Sequence, residues 1–317
     1  MIDERILCNI PGMKDARPVA VVQADSLTEA EFRRTWVDRN VPVLVKGAIR
    51  HWPAMQRWTD KQYLKDRVGH NDVNLYPNLY FSDAARMKAT AIPQKFENAL
   101  DELHAQDDRV IFLPVRIESQ NSKFTDLRDD IPGVRFVPSP KPPLFYPRAR
   151  AFMYRGAGSG WHTHTIDETL MCQIHGCKRV ALLPTNDGTY EQLRDIFRTD
   201  SYLDDPDAFG ELARKLRPIV ADVDAGDALY IPPNWWHGVQ PIDHVAGATL
   251  TYCWRSPVHK ISDLSYAPVR EMWRQTFSRP SAAMLVLLYW GTASLLGQCV
   301  YRLKGLFRRE ASASSAA

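Results

Sequence analysis

Five of the nine histidines lie between positions 162 and 244, and three of them stand in two segments rich in glycine, tryptophan and proline. The first segment, GAGSGWHTHTIDE at 156–168, carries His162, His164, Asp167 and Glu168, with Gly176 and Lys178 downstream. The second, GDALYIPPNWWH at 226–237, ends on His237. Alternate side chains of a strand share a face, so His162 and His164 can point into one interior, and Glu168 keeps their parity if no bulge intervenes. Two or three imidazoles and a carboxylate converging inside a small β-barrel make a site for a divalent transition metal. Neutral imidazole suits iron, zinc, copper or nickel, and two histidines with one carboxylate and open positions mark non-haem Fe(II) chemistry.

Such groups need a rigid frame, and from about position 145 the chain reads as one. Short β-rich runs at 149–154, 169–174, 179–183, 228–231 and 248–254 are separated by glycine and proline turns, the pattern of an antiparallel sandwich or barrel. An acidic, partly helical insertion at about 185–225 interrupts them and is expected to run solvated over one face. Upstream the texture is mixed α and β. A helix is expected from Ser26, with that serine as cap, to about Asp38, then a strand at 43–45, a helix at 59–68 and a strand at 110–115. The division expected is an N-terminal lead at 1–25, a main domain at 26–258 and C-terminal helices at 259–317.

The C-terminal part is of a different kind. Residues 280–301 carry no formal charge, and Arg302, Lys304, Arg308 and Arg309 follow. Length and apolarity suit a membrane-spanning helix with basic flanks. Gly291, Ser294 and Gln298 on one face suit equally a helix buried against a second subunit, so membrane association or homodimerisation through 280–309 are the two expectations.

With 317 residues, 45% apolar and 24% charged, the chain is no disordered or collagen-like protein and can bury a full core. Forty basic against 37 acidic residues leave a net charge of +3, too little for the basic stripe that nucleic-acid binding requires. Five scattered cysteines without a CxxC pair favour a reducing compartment. The first residues hold mixed charges and no apolar core of a secretory signal. A cytoplasmic location is therefore expected, with membrane association through the C-terminal segment as the variant.

The two histidine segments resemble the paired motifs of the cupin superfamily: glycine, five residues, His-x-His, three residues, glutamate and a later glycine, then glycine, five residues, proline and histidine. More narrowly, QIHGCKRVALLP (173–184) followed by GDALYIPPNWWHGV (226–239) is similar to the JmjC-like, cupin-8 group of Fe(II)/2-oxoglutarate oxygenases. VPVLVKGAIRHWPAMQRW at 41–58 resembles the segment that opens that domain. The resemblance implies a double-stranded β-helix (cupin or jelly-roll barrel) with a helical N-terminal extension and C-terminal helices, mainly β but α+β in content. It implies a hydroxylase-type dioxygenase using Fe(II) and 2-oxoglutarate. His162 matches the first metal ligand and His237 the distal one. Lys178 matches the lysine that pairs with the far carboxylate of 2-oxoglutarate. Ser159, Thr169 and Tyr252 fall where the group places polar contacts to the co-substrate.

The chain departs from that pattern at one place: the group has His-x-Asp or His-x-Glu, and here His162-Thr-His164 stands instead. His164 can replace the carboxylate, Glu168 or Asp167 can supply one through a bulge, or the metal site is weakened and the chemistry lost. A metal cupin acting without 2-oxoglutarate and a non-catalytic, membrane-associated binding protein are the rival functions. The substrate is not written in these motifs: protein side chain, peptide, tRNA base and small-molecule natural product are all open, and the near balance of charge disfavours the tRNA.

Overall fold

The run ARAFMYR at 149–155 shows how the frame is built. Ala149, Ala151 and Met153 are buried in a core, while Arg150 and Phe152 are turned the other way and only partly covered, the two-residue period of a strand with different neighbours on its two faces. The computed structural model describes residues 4–77, 90–118, 121–185, 188–261, 266–271, 292–293 and 295–303.

Eight strands carry the site: β1 (Ala149–Arg155), β2 (Ser159–His162), β3 (Asp167–His175), β4 (Lys178–Leu183), β5 (Ile219–Val223), β6 (Ala228–Ile231), β7 (Trp236–Pro241) and β8 (Ala246–Arg255). They pair in two sheets with spatial orders β6-β3-β8-β1 and β5-β4-β7-β2, every neighbouring pair antiparallel. The first sheet is widened on the β6 side by Val43–Lys46 and Ala20–Gln23, the latter pair parallel, and on the β1 side by Ile111–Glu118, Asp72–Pro77 and Ile92–Lys95. Arg17–Pro18 adds a parallel edge to β5.

Gly176 makes the tight β3–β4 turn at φ +75°, and an added Cβ there would sit 3.1 Å from the Tyr154 hydroxyl. Glycine is the residue that tolerates both conditions. The turn sets Lys178 as the first residue of β4, in phase with Val180 and Leu182, which are buried in the inter-sheet core with Met171, Leu229, Ile231 and Val239. The opposite face of the larger sheet, with Ala151, Leu170, Leu250 and Trp254, packs on helices of the N-terminal part through Phe32, Trp52, Trp58, Leu64 and Leu100.

Three expectations are corrected. Thr28, not Ser26, caps the first of these helices: its hydroxyl accepts from Glu31 N–H at 3.2 Å, and Ser26 donates to the Gln23 carbonyl instead. The 185–225 insertion is not a solvated excursion. Its helix Tyr190–Thr199 buries Leu193 and Phe197, and Phe197 stacks on Trp161 with centroids 5.0 Å apart. Alternation explains this, because Trp161 and Trp236 face outward where His162 and His237 face in, and two exposed indoles demand an apolar cover. The insertion also ends early, since β5 is an interior strand of the smaller sheet.

The chain divides into two compact units, one of Met1–Pro184 with Glu191–Arg255 and one of Thr185–Tyr190 with Ser256–Ala317. In the second, residues 292–293 and 295–303 are helical and Leu296 and Leu303 are exposed. The apolar segment of 280–301 lies for the most part outside the described residues. Among those described, no helix is long and apolar enough to cross a membrane.

Candidate metal centre

His162 closes β2 and is the direct cross-strand partner of His237 on β7. His164 lies two residues beyond the strand end, where Asn234 N–H donates to its carbonyl at 2.6 Å and pins the loop. The three imidazoles converge, with ring centroids 4.1 to 5.2 Å apart and one potential ligand atom from each within 4.8 Å of the others.

Each ring is held through its Nδ1: His162 by the Gly160 carbonyl at 2.8 Å and Ser159 Oγ at 3.2 Å, His164 by Thr169 Oγ1 at 2.9 Å, and His237 by the Trp235 carbonyl at 3.0 Å. A carbonyl on Nδ1 fixes the proton there and leaves the Nε2 lone pair free, the arrangement that orients metal-ligating histidines. Burial pushes all three below the ordinary imidazole pKa, His164 and His237 well below, so the rings are neutral donors at pH 7. The donor set therefore fits a divalent transition metal.

The histidines line a cavity of about 250 Å³ between the sheets. Ser159, Thr169 and Lys178 line it too. Lys178 is buried, with its Nζ 3.6 Å from the centroid of the Tyr154 ring. Desolvation lowers it to about 7. Among the described residues no Asp or Glu lines this cavity, so a metal held by three neutral imidazoles would keep its full charge, and the ammonium form of Lys178 would add to it. Such a site selects anionic ligands.

Three expected members lie elsewhere. Glu168 is fully buried and accepts from the Tyr230 hydroxyl at 2.5 Å, on the face of β3 opposite Thr169. The loop 163–166 between His162 and β3 resets the parity that would have placed it beside the histidines. Asp167 likewise accepts three backbone N–H bonds, from Leu144, Phe145 and Tyr146 at 2.7 to 3.0 Å, and so anchors that loop. Tyr252 belongs to the core facing the helices, and its neighbours Thr251 and Thr249 line the cavity instead. Thr249, Thr251, Tyr146 and Arg150 were not singled out from the sequence. The alternation within ATLTYCW and ARAFMYR carries the signal that would have found three of them.

A β-sandwich whose inter-sheet cavity holds a three-imidazole donor set is the class that fold and site define. The chain belongs to the cupin-like domain family, whose model matches residues 29–260. Its distant relatives include JmjC-domain proteins and hydroxylases. It is 27% identical over 240 residues to Jumonji C domain-containing protein 5 of Drosophila melanogaster, covering 69% of this chain and 56% of that protein. It is 24% identical to tRNA wybutosine-synthesizing protein 5 of Homo sapiens, covering 74% and 78%. To the human bifunctional peptidase and (3S)-lysyl hydroxylase JMJD7 it is 25% identical, covering 70% and 81%. The alignment thus spans little more than half of the Drosophila relative.

Proposed function

We propose that the chain is an Fe(II)- and 2-oxoglutarate-dependent oxygenase of the hydroxylase type, with β1–β8 as its double-stranded β-helix. The observation that carries this reading is Lys178, a buried lysine with no carboxylate partner among the described residues, which faces the same cavity as three neutral imidazoles. Bound Fe(II) supplies oxygen activation coupled to decarboxylation of the 2-keto acid. His162, His164 and His237 hold the metal through Nε2. Lys178 pairs with the far carboxylate of 2-oxoglutarate as a charge-assisted contact in a dry site. Ser159 and Thr169 orient two of the imidazoles and stand within the cavity for polar contact with the co-substrate. Phe112, Phe152, Met171 and Ile231 wall the cavity and exclude water.

The donor set favours one second reading. With no carboxylate ligand, the site also suits a three-histidine metal cupin acting on a small molecule without 2-oxoglutarate. Incubation of the full chain with Fe(II), 2-oxoglutarate and oxygen separates the two. Uncoupled succinate formation, lost in Lys178→Met, is expected; metal-dependent oxidation without succinate would favour the second reading.

Protein, peptide and small-molecule substrates are favoured over tRNA by the near balance of charge. Attachment to a membrane or a second subunit through 280–309, in an otherwise cytoplasmic protein, is part of the same proposal. A chain truncated after residue 279 is expected to lose whichever association the full chain shows in flotation and sedimentation.

A further inference from the structure

Next to the metal cavity lies a second, more open one of about 570 Å³, and the two share Arg150 and Phe152 as a common wall. Arg116, on the strand Ile111–Glu118, lines the second cavity and is the direct cross-strand partner of Arg150 on β1. Like charges placed opposite each other across an antiparallel pair destabilise it. In this protein the repulsion is not relieved internally. No carboxylate lies within ion-pair distance of either guanidinium among the described residues. The buried Nε of Arg150 has no hydrogen-bond partner.

The neighbouring cation behaves differently. Lys123 in the same cavity is neutralised by Asp72 at 3.1 Å, which also holds Lys95 at 2.7 Å. Asp167, the carboxylate at the start of β3, is taken up by backbone N–H groups. Besides a contact with the Cys253 thiol, Arg150 is flanked by aromatic rings: its guanidinium lies 4.9 Å from the Tyr146 ring centroid and 5.5 Å from that of Phe152. Phe152 in turn stacks on Phe112, with centroids 5.6 Å apart and planes 17° from parallel. Beside the metal cavity the molecule thus presents two unneutralised planar forks above an apolar, flat wall.

We propose that Arg116 and Arg150 form the anion clamp of the substrate site: the substrate carries a carboxylate or phosphate between the two guanidinium groups, and its apolar part passes over Phe152 toward the metal. Guanidinium forks match both oxyanions bidentately, and the shared wall puts the remainder of such a molecule at the mouth of the metal cavity. A cationic side chain, such as the lysine in the name of one relative, would be repelled here. The inference rests on the reading of the metal cavity as the active site.

The test needs neither iron nor turnover, so its failure leaves that reading standing. Thermal unfolding of the full chain is followed with phenyl phosphate, phenylacetate and benzylamine as probes. At least one anion is expected to raise the midpoint saturably, and the stronger of the two identifies phosphate or carboxylate as the group recognised. The apparent affinity should fall about tenfold or more in Arg116→Gln and in Arg150→Gln, and persist in Lys178→Met, which excludes binding at the co-substrate lysine. Arg116 is exposed, so that variant leaves the core intact. The clamp is overturned if neither anion shifts the midpoint, if the shift survives both arginine variants, if it vanishes in Lys178→Met alone, or if benzylamine binds as well as the anions.

Discussion

The two faces of β3 hold polar groups of equal burial and opposite purpose. On one face Thr169 steadies His164 at the edge of an open cavity; on the other Glu168 is closed off in a bond with the Tyr230 hydroxyl, among the aromatic rings of Phe32 and Trp254. Both residues are fully buried. What separates them is what they face: the Glu168 carboxylate meets a donor within the fold, whereas the cavity side gathers three neutral imidazoles and the Lys178 side chain around one space. Convergence of ligating and charged groups on one cavity, rather than burial or charge alone, marks the face built for a ligand.

The sharpest way to break that contrast is on the cavity side. His237→Ala is expected to abolish stoichiometric Fe(II) binding in equilibrium dialysis while the circular dichroism of the fold is kept; undiminished binding would remove His237 from the centre. Lys178→Met should keep iron but weaken 2-oxoglutarate about 100-fold, the range expected when one member of a desolvated charge pair is lost. It should also leave the apo fold no less stable, because an unpaired buried ammonium is replaced by an apolar chain of similar length.

The protonation of Lys178 gives a pH signature. Desolvation brings its pKa down to about 7 in the fold from the 10.5 of a free side chain, so between these values the unfolded chain binds a proton that the fold does not. The apo protein therefore gains stability as pH rises from 7 toward 10. A dianion beside the lysine favours the charged form, so 2-oxoglutarate binding takes up a proton above pH 7. Its affinity is expected to fall by up to about tenfold per pH unit, and calorimetry in buffers of different ionisation enthalpy counts the proton. Lys178→Met should flatten the profile.

The opposite face is predicted to respond in stability alone. Glu168→Gln should bind iron with unchanged stoichiometry and lose about 1–3 kcal/mol in denaturant unfolding, the usual cost of disturbing a buried hydrogen bond. Tyr252→Phe, in the same core, should change neither iron nor 2-oxoglutarate binding. A loss of iron in Glu168→Gln would return that carboxylate to the metal centre.

Much of this was legible in the sequence where period and packing agree. The strand Ala228–Ile231 was placed to the residue, and 149–154 and 179–183 to within one, because each is a short apolar or alternating run between turn residues. β2 was harder, since SGWH is only four residues long and comes out of the glycine-rich run GAGSG, with no alternation to count. β5 was hidden because IVADV follows Pro218 inside an acidic stretch. The histidines carried their own signal through type and spacing. Glu168 did not, because a loop of four residues between two strands decides which face the next strand presents, and that loop's path depends on Asn234 and on contacts 70 residues away in the chain. Phe197 and its neighbours looked solvated among acidic residues; only the indoles of Trp161 and Trp236, turned outward by the same alternation that turns His162 and His237 inward, explain their burial.

Anaerobic titration of the Fe(II)-loaded protein with 2-oxoglutarate, read as a metal-to-ligand charge-transfer band, tests the central claim most directly. A saturable band in the wild type, weakened about 100-fold in Lys178→Met and absent in His237→Ala, is the expected result. Iron bound in stoichiometric amount with no band at any concentration of 2-oxoglutarate would contradict it, and would leave a three-histidine metal site whose chemistry does not use the keto acid.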